Sequence, residues 1–84
     1  MQIKLTKCQN YQFAFIPVVV NDSGYELGLS LWHLDIISRW CWQHFGRKRL
    51  RWNTDSFGKY VFETEADYLL FYLNWNGKFV EEMR

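Results

Sequence analysis

The segment SLWHLDIISRWCWQHFG, Ser30 to Gly46, decides the fold, because it carries a helix signal at each end. Serine is a favoured N-cap residue, and glycine is the residue most often found just beyond a helix C-terminus. Between them, apolar side chains recur with helical spacing. The segment therefore predicts a helix from Leu31 to Phe45.

This helix has apolar residues on two sides. One stripe, which should face the core, comprises Leu34, Ile37, Cys41 and Phe45, and a second comprises Trp32, Ile36 and Trp40. A helix needs only one apolar face, so either this helix lies between other elements or its second stripe contacts a partner. Because so short a chain has few elements to enclose a helix, we favour a partner. The predicted protein-binding residues are Trp32, Ile36, Arg39, Trp40 and Gln43.

Downstream of this helix, two short alternating runs, KRLRWN and KYVFET, flank a turn that contains Gly58 and predict a β-hairpin. Thr64 then caps a second helix from Glu65 to about Trp75, with acidic residues in its first turn. A last strand, KFVEE, can follow. The predicted core stripe of the second helix is Ala66, Leu69, Leu70 and Leu73, and its predicted flank is Tyr68, Tyr72 and Trp75.

Upstream, QIKLT and YQFAFIPVVV have strand composition, and the turn NDSG leads into YELGL, a short returning strand. Pro17 has no N–H donor, which predicts an edge position or a bulge.

The element order is β-(β)-α-β-β-α-β. We predict one α+β domain over residues 1–84, built as a small antiparallel sheet with two helices on one face. A ferredoxin-like split βαβ is the simplest such arrangement.

Charge is unevenly distributed along the chain. Residues 36–54 contain five cations and no carboxylate, whereas residues 55–84 contain six acids and three bases. Cations after a helix complement its dipole and cations that alternate along a strand face solvent, so a structural role explains much of the cluster. Glu63 is a candidate cross-strand partner for one of the arginines. The cluster also predicts a basic patch for an acidic partner or a nucleic acid, comprising Arg47, Lys48, Arg49 and Arg51.

Direct binding of DNA or RNA is the alternative prediction. Clustered cations near aromatic rings suit phosphate neutralisation and base stacking, and a ferredoxin-like sheet is also the scaffold of RNA-recognition motifs. The strand that would carry the stacking rings is SFGKYVFE, in which Lys59 replaces a ring and Tyr60 replaces an aliphatic residue. The sequence pI of 7.8 is also low for a domain that binds a polyanion.

The sequence contains no recognisable catalytic or metal-binding motif. Its cysteines and histidines, Cys8, Cys41, His33 and His44, lack zinc-ligand spacing. Cys41 and His44 lack a third group that would complete a nucleophilic site. The longest apolar run has eight residues, too few to span a membrane. We expect a soluble cytoplasmic protein with no signal peptide, no cofactor, no metal and no enzymatic activity.

Several of these residues also form a loose pattern: W-C-x-x-H-F-G from Trp40, R-W from Arg51, Y-x-F-x-x-E-x-D from Tyr60 and L-F-x-L-x-W from Leu70. In this pattern the chain resembles small proteins encoded by tailed bacteriophages. The resemblance implies a non-catalytic protein that binds a host enzyme or defence complex in the host cytoplasm, as anti-CRISPR proteins and inhibitors of host RNA polymerase do. A virion component is the other role that the resemblance allows.

We therefore predict a small protein-binding module, a phage-encoded effector that inhibits or redirects a host protein with an acidic surface. A homodimer that buries the stripe of Trp32, Ile36 and Trp40 is a further prediction, because symmetric self-association is common among soluble proteins.

Overall fold

The computed structural model describes residues 1–55 and 58–80. Its elements are β1 (Gln2–Lys7), β2 (Ala14–Val20), β3 (Glu26–Leu27), α1 (Leu31–Phe45), β4 (Trp52–Thr54), β5 (Tyr60–Phe62) and α2 (Glu65–Trp75). The strands form one sheet in the order β1-β2-β5-β4, with β3 paired to β2. The predicted α+β class with a small antiparallel sheet and two helices is confirmed.

The ferredoxin-like order is not confirmed. Such a fold places parallel strands on either side of each helical crossover. Within the described residues, every strand pair is antiparallel, including the pair formed by β2 and β5, which precede and follow α1.

Helix α1 begins and ends where the sequence predicts. Ser30 Oγ accepts a hydrogen bond from the His33 backbone N–H (3.2 Å), and His33 Nδ1 accepts one from the Ser30 N–H (3.4 Å), which completes a capping box. At the other end, Gly46 has a φ of 86° and its N–H donates to the Trp42 carbonyl oxygen (3.0 Å). The predicted core stripe packs inward: Ile37, Cys41 and Phe45 are buried, and Leu34 is half-buried against them.

One face of the sheet carries the core, and both helices cover it. Register pairs on this face are Ile3 with Val19, Phe15 with Tyr60, and Trp52 with Phe62, and all of these side chains are buried. The buried apolar residues of α1 and α2 join most of them in one cluster. Ile16 points the other way and is exposed. The opposite face of the sheet is therefore left without a helix among the described residues.

Pro17 lies in the middle of β2, opposite Leu5, and not on an outer strand. The Leu5 N–H donates to Asn76 Oδ1 (3.1 Å), so it points away from β2 and this pair exchanges no backbone hydrogen bonds. On its other side, β2 pairs with β5 at residues 14–15 and with β3 at residues 19–20. No described strand therefore lies beside Pro17 on that side of β2. The missing proline N–H has no neighbouring backbone acceptor there to leave unpaired.

Helix α2 has the predicted bounds but the opposite orientation. The residues predicted to face the core are exposed, with 46% exposure at Leu69 and Leu70 and 78% at Leu73. The buried residues are Asp67, Phe71 and Trp75. Aromatic rings bury more apolar area than leucine side chains, so the ring-bearing face packs on the sheet. The predicted core stripe of α2, Ala66, Leu69, Leu70 and Leu73, was therefore wrong.

The hairpin of β4 and β5 is confirmed, but its first strand begins later than predicted. Residues 47–51 form a turn, in which Arg49 has a φ of 76° and its N–H donates to the Trp52 carbonyl oxygen (2.7 Å). The predicted alternation of arginines along a strand is therefore wrong. Leu50 is 69% exposed whereas Trp52 is buried, so these two side chains do not share a face of a strand.

Two predicted features lie partly outside the described residues. Ser56 and Phe57 of the hairpin turn are among the undescribed positions, as are Glu81 and Glu82 of the predicted last strand. The described part of that last segment does pair with β1, since Phe79 lies opposite Gln2 in an antiparallel bridge.

Candidate binding surface

Trp40 faces the protein interior and not solvent. Its ring is half-buried and packs edge-on against Trp75 and Phe71 of α2, with ring centroids 5.9 and 6.1 Å apart. His44 stacks on its other side at 4.2 Å. The expectation that this tryptophan forms an exposed face of α1 was wrong, because α2 occupies that side of the helix.

The other residues predicted to bind a protein divide between interior and surface. Ile36 is half-buried against the core, like Trp40. Trp32 is 42% exposed, and Arg39 and Gln43 are exposed on the same side of α1. The structure therefore brings Trp32, Arg39 and Gln43 together on the solvent side of the helix and separates them from Ile36 and Trp40.

The most exposed tryptophan of α1 is Trp42, which is not among the predicted protein-binding residues. Its side chain is 61% exposed. It lines an open depression of about 400 Å³ whose other lining residues are Ser38, Arg39, Arg47, Lys48 and Trp52. We call Ser38, Arg39, Trp42, Arg47 and Lys48 the Trp42 surface. Because Trp40 packs against α2, position 42, two residues later, lies on the far side of the helix, a reference point that the sequence alone does not provide.

Hydrogen bonds fix two of the residues that line this depression, Trp52 and Ser38. Trp52 is buried, and its Nε1 donates to the Gly46 carbonyl oxygen (2.7 Å) at the end of α1. The Tyr60 hydroxyl donates to the Leu34 carbonyl oxygen (3.2 Å) and lies 2.8 Å from Ser38 Oγ. Burial raises the pKa of Tyr60 to about 12, so its hydroxyl stays protonated even somewhat above pH 10. The positions of Trp52 and Ser38 in this depression are therefore fixed by hydrogen bonds.

The cations around Trp42 differ in how they are paired. Arg39 Nε lies 3.0 Å from Asp35 Oδ2, an exposed pair one turn apart on α1. Arg47, Lys48 and Arg49 are exposed, and within residues 1–55 and 58–80 none of them forms an ion pair with a carboxylate. These three side chains extend from a turn, so their charge is available to a ligand.

Arg51, predicted to belong to the basic patch, has a structural partner instead. Its Nε and Nη2 donate to Asp67 Oδ2 (3.0 Å) and Oδ1 (2.7 Å), a two-point contact with the first turn of α2. These hydrogen bonds and the charge of Asp67 raise the pKa of the guanidinium. The expected cross-strand partner, Glu63, is replaced by Asp67, because the turn at residues 47–51 directs Arg51 toward α2.

Cys41 and His44 do not form a reactive pair. Cys41 is buried, and burial raises the pKa of its thiol well above the usual range, which disfavours the nucleophilic thiolate. His44 is exposed, and its Nδ1 lies 2.9 Å from the Trp40 carbonyl oxygen. Among the residues described, no three His, Cys, Asp or Glu side chains are placed to hold a metal ion. Neither described helix has the length and apolar character needed to cross a membrane.

Comparison of the chain with protein-family models, with curated proteins and with solved structures gave no match.

Proposed function

We propose that this protein is a small non-enzymatic binding module that uses the Trp42 surface to hold a protein with an acidic surface. The observation that supports this proposal is the exposure of Trp42 beside Arg47 and Lys48, two exposed cations that have no carboxylate partner in the described chain. A large exposed ring surrounded by positive charge can anchor a partner while the charges orient it.

The tryptophan and the cations of this surface should contribute to binding in different ways. Removal of a tryptophan that anchors an interface typically costs about 2 kcal/mol or more, which is about thirtyfold or more in Kd. Cations at the rim act mainly on the association rate, which then falls as salt screens them. Arg47 and Lys48 are exposed rim residues of this kind.

The biological role that we propose comes from the resemblance to tailed-bacteriophage proteins. In this role the protein is a phage-encoded effector in the host cytoplasm that inhibits or redirects a host protein or defence complex. The support for this part of the proposal is the sequence pattern between Trp40 and Trp75.

Nucleic-acid binding is a second candidate function, and the same surface favours it. Unpaired cations beside an exposed ring are the elements that bind a phosphate backbone and stack on a base. Arg47, Lys48 and Arg49 could neutralise about three phosphates, which predicts a slope near −2 for log K against log salt with a single strand. The six acids of residues 55–84 oppose this binding mode.

One capture experiment separates the two functions. The tagged protein is incubated with bacterial lysate, and half of the sample is treated with nuclease before washing. The proposal predicts a protein retained in both halves and lost when the bait carries Trp42→Ala or Arg47→Glu. Tyr25→Ala is the matched control, because Tyr25 is a 70% exposed aromatic residue near β3, away from the Trp42 surface.

The outcomes are distinct. Loss of all bound material after nuclease would support the second function and contradict the first. A protein partner that is retained by Trp42→Ala but lost with Trp32→Ala would place the interface along the other exposed part of α1, as the sequence analysis predicted.

A further inference from the structure

The depression beside Trp42 combines aromatic rings with charge of one sign. Two tryptophans line it, Trp52, which is 3% exposed, and Trp42, which is 61% exposed. Arg39 lines it from α1, and Arg47 and Lys48 line it from the turn that follows the helix. All of its charged lining residues are therefore cations, so the chemistry of the site is both apolar and positive.

We propose that the ligand of this depression is a linear acidic peptide segment with one large apolar side chain. Trp42 and Trp52 hold the apolar side chain, and acidic residues beside it pair with Arg47 and Lys48. This inference rests on the proposed function, since it names the part of the partner that the Trp42 surface binds. It goes further than that function, because the element recognised is a short segment and not a folded acidic surface.

The size of the depression limits the ligand to one anchoring side chain. Its volume of about 400 Å³ is near the lower limit of small-molecule sites, which measure roughly 300–1,000 Å³. A bound helix would insert several side chains, three or four residues apart, into a continuous groove. Helix α1 lines the depression only from Ser38 to Trp42, which is just over one helical turn. A single inserted side chain therefore fits this site, whereas the row of side chains on a helix does not.

The nearby edge of β4 does not offer backbone pairing to such a ligand. Alternation along β4 directs the backbone groups of Trp52 and Thr54 away from β5. The Trp52 carbonyl oxygen already accepts the Arg49 N–H (2.7 Å), and the Thr54 N–H already donates to Asn53 Oδ1 (2.9 Å). An added strand pairs with both backbone groups of one residue. Neither Trp52 nor Thr54 has both groups free, so the ligand is held through its side chains.

Charge complementarity favours an acidic peptide over a nucleic acid at this site. Arg47 and Lys48 have no carboxylate partner within residues 1–55 and 58–80, whereas Arg39 is already paired with Asp35 (3.0 Å). Two available charges suit a few carboxylates on the turn side of the depression. A continuous phosphate backbone would extend to the helix side as well, where the Asp35 carboxylate repels it.

Fluorescence polarisation with labelled synthetic peptides tests the proposal directly. The first probe has one leucine between two pairs of glutamates, and the protein is titrated to about 1 mM. The second probe has alanine in place of the leucine, and the third has lysines in place of the glutamates. We expect a Kd below about 1 mM for the leucine probe. The alanine probe should bind at least about tenfold more weakly, and the lysine probe should not bind.

Variants of the protein connect this binding to named side chains. Trp42→Ala should weaken binding of the leucine probe at least about tenfold. The double variant Arg47→Glu with Lys48→Glu should lose the leucine probe and bind the lysine probe, because the charges of both partners are then exchanged. Lys7→Glu is the matched control and should keep the original affinity, because Lys7 is exposed at the end of β1, on the opposite edge of the sheet from β4. Circular dichroism verifies that each variant is folded.

The outcomes distinguish this inference from the function on which it rests. Equal binding of the leucine and alanine probes, or no binding of either, would overturn the inference. If a lysate protein is still captured in a manner that depends on Trp42, the proposed function stands without it, whereas loss of both results overturns both. Tighter binding of a single-stranded oligonucleotide than of the leucine probe would assign the depression to nucleic acid and overturn the inference as well.

Discussion

Trp40 and Trp42 are two residues apart, yet the structure assigns them opposite roles. Trp40 packs between the helices against Phe71 and Trp75, whereas Trp42 is 61% exposed. Truncation of a buried aromatic residue to alanine costs about 3–5 kcal/mol, and the half-burial of Trp40 places it near the lower limit. The whole stability of an 84-residue domain is about 4–13 kcal/mol. Trp40→Ala should therefore remove at least about a fifth of it.

The expected changes in melting temperature are large enough to separate the two residues. For a domain of this size, each kcal/mol corresponds to about 4–8 °C, so Trp40→Ala should lower Tm by about 12–24 °C. Trp42→Ala should change the free energy of unfolding by no more than about 0.5 kcal/mol, or about 4 °C in Tm. Circular dichroism during heating measures both, and urea denaturation at 25 °C gives the free energies with an unchanged m-value.

The partner-capture assay completes this test. Trp42→Ala should lose the partner while keeping its Tm, and that combination is the signature of a binding residue. Equal losses of Tm in the two variants would refute the assignment of Trp40 to the interior and Trp42 to the surface. A larger loss for Trp42→Ala would refute it as well.

Three further predictions concern side chains in or near the core. Burial raises the pKa of Tyr60 to about 12, so the folded protein favours the protonated hydroxyl. The contribution of this preference to the free energy of unfolding is complete below pH 10 and is lost as pH rises from 10 to 12. The loss should reach about 2–3 kcal/mol in urea titrations at alkaline pH and be absent from Tyr60→Phe. A thiol reagent should modify Cys8 but not Cys41 in the native protein and both after denaturation, because burial raises the pKa of the Cys41 thiol and closes access to it; rapid modification of both native thiols would contradict this. Arg51→Lys and Asp67→Asn should each lower Tm, because neither keeps the two-point contact between these residues, and an unchanged Tm would show that the contact contributes nothing.

The first helix was predictable because its local signals agree with one another. Ser30 and Gly46 mark both of its ends, and Ile37, Cys41 and Phe45 repeat at a helical interval. The structure keeps all of these features. Local capping energies and the core pattern point to the same answer here, so no tertiary information is needed.

The orientation of α2 could not be predicted in the same way, because both sides of the helix are apolar. Periodicity identifies an apolar stripe but does not choose between two of them. The choice depends on packing across the chain: Phe71 meets Tyr60 and Phe62 of β5, and Asp67 meets Arg51. These partners are distant in sequence, and only the folded arrangement brings them together.

The candidate surface was predicted in part. Arg39, Arg47 and Lys48 were selected from the charge cluster and do surround the depression. Trp42 was missed, because the choice between the tryptophans of α1 depends on where α2 packs. Arg51 was wrongly assigned to the surface. Its carboxylate partner, Asp67, lies 16 positions away along the chain, and the sequence does not show that folding brings the two together.

The two ends of the described chain meet at the outer edge of β1. The Ile3 N–H donates to the Lys78 carbonyl oxygen (2.8 Å), and the Val80 N–H donates to the Met1 carbonyl oxygen (3.0 Å). During translation, β1 is made before residues 77–80, so its outer edge stays open until those residues have left the ribosome. An open strand edge is a template for pairing with other chains. The sheet is therefore complete only when the last of these residues is free, and nascent chains that stop short of them present an unprotected edge to the cell's chaperones.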